Sequence, residues 1–308
     1  MQDNNSSMTA LVSAFARAYH AKNSNEKVFD DSIAEKLLTP EEYAQISSNM
    51  IQGIHYFNPD FKGTEKEALD FIVNHQLAPS PVGRAAFTES KLEDAVKKGV
   101  KQYCIFAAGF DSFAYRQPEY AKALQIFEID HPVTSADKQK RVSRFCSTPI
   151  QNLTYIQADF TQSGWDKGIK ECTSYNEKAI SFCSLLGISY YLSKEDFKKL
   201  IKTITEIVPK GSYLVFDYPT VHKNAVNEQV KKQEELAQAS GEAMLAKYDK
   251  EEIVQLLLEY GFRVKENLEP EEITTQFFTL YNQANPKNPM KAFNDVNYCY
   301  AVLENTKS

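Results

Sequence analysis

The residues of this 308-residue chain whose types and spacing could do chemistry gather where short apolar runs end. The run QYCIFAA (102–108) leads into FAAGFDSFAYR (106–116), whose single glycine, Gly109, falls at a strand-to-helix turn. A residue without Cβ lets backbone amides approach a ligand there. About 20 residues on, LQIFEID (124–130) ends in Glu128 and Asp130, the spacing at which a carboxylate accepts hydrogen bonds from ribose hydroxyls. LTYIQAD (153–159) ends in Asp159, followed by Phe160, a pair suited to a polar contact on an adenine edge beside an apolar wall. Each feature also has a plainer use, since a glycine can simply turn the chain and a strand-end acid can cap a helix. The loop is not G-x-G-x-x-G, and Asp111 beside Gly109 would repel a pyrophosphate, which wants several close amides and a helix N-terminus. The set suits a nucleoside with a cationic or zwitterionic tail and no phosphate, such as S-adenosylmethionine. Asp111 is equally placed to cap the following helix.

The elements that must position these residues follow from periodicity. Five runs read as strands: the three above, AISFCSLL (179–186) and SYLVFDY (212–218). Helical stretches separate them, most clearly SKEDFKKLIKTITEIV (193–208), capped by Ser193 with Asp196 at its third position and stopped by Pro209 and Gly211. Strands alternating with helices imply right-handed βαβ units and a mostly parallel, doubly wound α/β sheet. Before residue 100 the pattern is helical, with Leu11, Phe15, Ala18 and Tyr19 on one period and Thr39 capping a helix at Pro40. LAPSPVG (77–83) breaks it, and a helix then runs from Arg84 to Lys98. Residues 222–248 read as a long polar helical insertion, and DKEEIVQLLLEYGF (249–262) as an amphipathic helix. FRVKENL (262–268) and VNYCYAVLE (296–304) alternate like an edge hairpin, joined by a loop rich in Asn and Pro at 282–289. The expectation is seven strands in one compact unit: a helical extension over 1–99 and an α/β domain over 100–308.

AAGFDSFAYR, then FEIDHP with Lys138 following, then QADF, resembles the leucine carboxyl methyltransferase family, in particular its bacterial S-adenosylmethionine-dependent branch. AFARAYH…VFDDSIAEKLL (14–38) and GRAAFTES (83–90) extend the resemblance over nearly the whole chain. It implies a class I methyltransferase fold, Rossmann-like, with seven strands and an antiparallel C-terminal hairpin. Carried over by position, Gly109 lines the methionine end of the cofactor and Asp130 holds the ribose, with Glu128 less favoured. Asp159 and Phe160 then meet the adenine, and Arg84 pairs with the cofactor carboxylate. Arg17 could assist it but fits better as a helix-surface residue, and Arg116 as a structural support of the loop. Two departures stand out: Ala107-Ala108 where the family shows Gly-Ala, and Leu186 in LLGISYYL (185–192) where many members carry a glutamate. Tyr190 and Tyr191 are acceptor-pocket candidates.

A sulfonium methyl is already activated, so the main task is to hold an acceptor in line. A carboxylate acceptor needs no base, whereas a hydroxyl would use one, for which His222 is the candidate. The extension over 1–99 and the segment 222–248 would form a lid over the acceptor, expected to be a small molecule. The competing functions are an NAD(P)-dependent oxidoreductase and a non-catalytic binder of the methyl donor. Composition excludes other classes: 41 acidic against 35 basic residues give a net charge of −6, unsuited to nucleic acid. No apolar run reaches the roughly 18 residues that span a bilayer. The polar N-terminus and five scattered cysteines imply reduced thiols in the cytoplasm, and five dispersed histidines imply no metal site.

Overall fold

In the computed structural model, residues 7–221 and 244–304 are described. Seven strands form one sheet: β1 Gln102–Phe106, β2 Gln125–Asp130, β3 Leu153–Gln157, β4 Ser181–Leu185, β5 Tyr213–Pro219, β6 Phe262–Leu268 and β7 Val296–Leu303. Their order is β3-β2-β1-β4-β5-β7-β6, with β1 to β5 parallel and β7 antiparallel to both neighbours. All seven strands predicted from sequence are present. The fold is therefore the doubly wound, mostly parallel sheet with an antiparallel C-terminal pair that the alternation implied.

Burial explains why these runs are strands. All five residues of β1 are buried, because helices cover both faces. Tyr103 and Ile105 pack into one core with Phe15 and Phe87, from the helices α1 (Met8–Asn23) and α2 (Pro79–Lys97). Cys104 and Phe106 pack into the opposite core, which also takes Leu200 and Ile201 of α4 (Lys194–Ile207). Between them in sequence, α3 (Pro132–Val142) follows β2. In α4 the buried residues Phe197, Leu200, Ile201, Ile204 and Ile207 recur at helical spacing, each burial worth roughly 1.5–3 kcal/mol. Its cap is as expected, with Ser193 Oγ accepting the Asp196 N–H at 3.1 Å.

Three local expectations need correction. LAPSPVG is a break of one residue rather than a loop: the preceding helix ends at Leu77, Ala78 is a bend, and α2 begins at Pro79 and runs through Pro81. The first turn of a helix has no acceptor for its N–H groups, so proline costs nothing there. Arg84 consequently sits on the second turn of a long helix. The connection between β6 and β7 is mostly helical over 270–284, with Pro270 at its first position and Glu272 reaching back to the Glu269 N–H. Of the predicted insertion 222–248, residues 222–243 lie outside the described residues, and 244–248 are not helical, Tyr248 bridging Thr220.

Strand order reverses between β1 and β4, which leaves a crevice at their carboxyl ends. The segments 107–111 and 186–188 leave the sheet on either side of it.

Candidate functional site

A cavity of about 450 Å³ occupies that crevice, within the range of small-molecule sites. The β1, β2, β3 and β4 ends contribute to its lining, as do the first turns of α1 and the cavity side of α2. Of the eight residues singled out from sequence as cofactor or acceptor candidates, Gly109, Asp130, Asp159, Phe160, Arg84 and Tyr191 all line it. Tyr190 does not, and His222 lies outside the described residues.

Gly109 has φ +50°, and a Cβ built on it would stand 3.3 Å from the Ala10 side chain of α1. A side chain there would fill the space between loop and helix. Ala107, two residues earlier, also takes a left-handed φ of +52°. That conformation costs an L-residue roughly 1–2 kcal/mol, a physical reason for the glycine that the family resemblance leads one to expect at this position. Ala107→Gly is therefore expected to stabilise the protein by about 0.5–1 kcal/mol after the entropic penalty of glycine. Urea denaturation checks this, and a neutral or destabilising result would contradict the strain.

Asp130 ends β2 and is 8% exposed. Its oxygens accept the Gly109 N–H at 2.5 Å and the His131 N–H at 2.6 Å. Burial pushes this carboxyl above the usual range, and the two N–H groups offset part of that rise. Glu128 does not reach the cavity: it is 1% exposed, with Oε2 2.6 Å from Lys138 Nζ of α3. His131 caps α3, its Nδ1 accepting the Val133 N–H at 3.4 Å.

Asp159 accepts both the hydroxyl (2.6 Å) and the N–H (3.0 Å) of Thr161. Burial alone would raise its pKa, but those bonds bring it below the ordinary carboxylate value. Phe160 packs on Trp165 with ring centroids 5.1 Å apart, and both rings meet Phe106. An apolar aromatic wall thus stands beside a strand-end carboxylate.

Arg84 donates from Nη1 to Asp217 Oδ2 at 3.2 Å, its one hydrogen-bond partner among the described residues. The other two cavity arginines are committed elsewhere. Arg17 was expected on a helix surface but is buried: it holds Asp31 (2.9 Å), Ser13 (2.9 Å) and the Phe110 carbonyl (2.6 Å). Nothing in a single helix period showed that Asp31 and the cofactor-side loop would close over it. Arg116 grips Glu89 with both Nη atoms and donates to Ser112. Of the three guanidiniums, Arg84 keeps most of its donors unspent, as a partner for a carboxylate ligand requires.

Tyr190 is 6% exposed and its hydroxyl donates to Asp217 at 3.0 Å, so it is a core residue rather than an acceptor contact. Leu186, Ile188, Leu192 and Leu245 give the remaining wall an apolar character. Asp217 and Gly187 were missed from sequence, although a carboxylate inside the apolar run SYLVFDY and a glycine just past a strand end were available signals. Among the described residues no cluster of His, Cys, Asp and Glu could hold a metal, and no helix is long and apolar enough to cross a membrane.

The residues fit a nucleoside with an amino-acid tail, and the comparisons with known proteins agree. A family model for leucine carboxyl methyltransferase matches residues 10–205. YktD of Bacillus subtilis (strain 168), named provisionally as an S-adenosyl-L-methionine-dependent methyltransferase, is 36% identical over 98% of this chain and 99% of its own. A protein of Mycobacterium sp. (strain JLS) with the same provisional name is 27% identical over 72% of this chain and 70% of its own. Among solved structures, a duf574 family protein from Streptomyces avermitilis MA-4680 shares the fold, with a TM-score of 0.55, 14% identity, and 83% of this chain and 96% of that one covered. From the residues matched and the length of the agreement with YktD, the chain belongs to the leucine carboxyl methyltransferase family and is an S-adenosylmethionine-dependent methyltransferase.

Proposed function

We propose that this enzyme methylates an oxygen, carboxylate or hydroxyl, of a small acceptor with an apolar body. Asp130 takes the ribose hydroxyls, Arg84 the tail carboxylate, and Asp159 and the Phe160 backbone the adenine, with Gly109 beneath the methionine end. The observation that carries the reading is the convergence of these five residues on one cavity, with Arg84 the cavity arginine that has most donors unused among the described residues. The cofactor supplies an activated sulfonium methyl, so the residues need only bind, orient and exclude water. The start of α1, where the capping Ser7 and then Thr9 and Ala10 line the cavity, serves as its cover. The extension over residues 1–99 and the α/β part over 100–308 are then two parts of one functional unit, working in the cytoplasm.

Leu186 lines the cavity just past β4 and presents no carboxylate to an acceptor. A carboxylate acceptor meets no glutamate at this position, and with an ordinary pKa of about 4 it needs no base at neutral pH. A hydroxyl acceptor would require His222 or another base. The oxidoreductase alternative finds no support in the family match.

Transfer of a labelled methyl group to a panel of carboxylic acids, phenols and alcohols tests this. Label in a base-labile ester supports the carboxylate, and label in a base-stable ether supports the hydroxyl. Label only in amines or thiols would overturn the proposal.

A further inference from the structure

We infer that Asp217 is a positioning residue for the cofactor's amino-acid tail, acting through Arg84; the inference rests on the role proposed above for that arginine. Asp217 lies in β5, fully buried, and is not among the residues that line the cavity. It touches no ligand itself. Its Oδ2 accepts from Arg84 Nη1 at 3.2 Å and from the Tyr190 hydroxyl at 3.0 Å, while Oδ1 accepts the Gly187 N–H at 2.7 Å. The Asp217 carbonyl accepts from Ser189 Oγ at 2.7 Å. One residue thereby joins three elements: helix α2 through Arg84, the turn after β4, and β5 itself.

Gly187 completes the seat. Its φ is +71°, and a Cβ there would lie 2.5 Å from Arg84 Nη1 and 3.0 Å from Cζ. The guanidinium therefore rests against a bare Cα while Asp217 holds one edge of it. Only 18% of the Arg84 side chain is exposed, and its remaining donors belong to a residue that lines the cavity. An arginine on its own stem must be ordered when it captures a carboxylate, at a cost in side-chain entropy. With Asp217 and Gly187 in place that ordering precedes binding, and the charge of Arg84 is balanced in the free protein.

The distinguishing test uses two ligands, S-adenosylhomocysteine and 5′-methylthioadenosine. They share the nucleoside and the sulfur, and the second lacks the amino-acid tail. Calorimetric titration of Asp217→Asn, which keeps an acceptor for the Gly187 N–H, is expected to show about tenfold weaker S-adenosylhomocysteine binding, the size of one charge-assisted contact. Binding of 5′-methylthioadenosine should stay within about twofold of the parent, since no charged contact to the tail is involved. Gly187→Ala, which pushes the guanidinium from its other side, should show the same split and decides the matter should Asp217→Asn not fold. Equal weakening of both ligands would mean a merely structural role and overturn the inference. Unchanged S-adenosylhomocysteine binding in Asp217→Asn and Gly187→Ala, with a clear loss in Arg84→Ala, would overturn it while leaving the arginine's role intact. Unchanged binding in Arg84→Ala would remove that role and the inference together.

Discussion

Asp130→Ala is expected to bind S-adenosylhomocysteine about 100-fold more weakly than the parent. The ribose diol offers two hydroxyls to one carboxylate, and two charge-assisted hydrogen bonds at about 1.5 kcal/mol each give roughly 3 kcal/mol. The free protein already aims this group, because the Gly109 and His131 N–H groups hold both of its oxygens. Removing the carboxylate also frees Gly109 from its turn, adding to the loss. Since 5′-methylthioadenosine keeps the ribose, its affinity should fall by the same factor, in contrast to the tail-specific effect expected at Arg84. Titration calorimetry with the two ligands measures both, and affinities within about threefold of the parent would rule out the ribose contact.

Lys138→Met is expected to be the most destabilising single change in the neighbourhood of the site. Lys138 of α3 and Glu128 of β2 are each 1% exposed and face one another at 2.6 Å. The contact lacks hydrogen-bond geometry, and neither side chain has another partner among the described residues. Burial pushes the Glu128 carboxyl up to about 7, with Lys138 pulling in the opposite direction. Losing the lysine removes that pull and leaves a buried carboxylate uncompensated, a cost of about 3–5 kcal/mol. The sign of the pH dependence follows. A carboxyl whose folded pKa is raised contributes stability below its ordinary value of 4.5, and that contribution is lost as pH rises through the folded value. The variant should therefore be far less stable than the parent at pH 8.5 and much closer to it at pH 5.5, where Glu128 takes up a proton. Glu128→Leu combined with Lys138→Met should return near parental stability. Urea denaturation at the two pH values is the check, and an equal loss at both would show that Glu128 does not titrate as described.

The frame of this protein was legible because its strands are short, apolar and separated by capped helices. In β1 the whole short run is buried, and in α4 the buried positions are those that helical periodicity selects. The strand-end residues Gly109, Asp130, Asp159 and Phe160 were legible for a related reason: in a doubly wound sheet, topology carries the carboxyl ends to one crevice whatever lies between. Long-range pairings were not legible. Asp31 and Phe110 bury Arg17 from 14 and 93 residues away, and Asp217 meets Arg84 across 133 residues. Tyr190 and Tyr191 are adjacent in sequence yet part company, one on Asp217 and one on the cavity, because the turn after β4 sends them in different directions. The prolines of LAPSPVG misled for a local reason, since a first helical turn accommodates what an interior turn would not.

The assignment of Asp130 to the ribose and Arg84 to the tail stands or falls on how the cavity receives its cofactor. A crystal structure of the protein soaked with S-adenosylhomocysteine should place both ribose hydroxyls on Asp130, the tail carboxylate on Arg84, and the adenine between Asp159 and the Phe160 wall. A ligand seated with its sugar away from Asp130, or with its carboxylate on Arg17 or Arg116 instead, would contradict it.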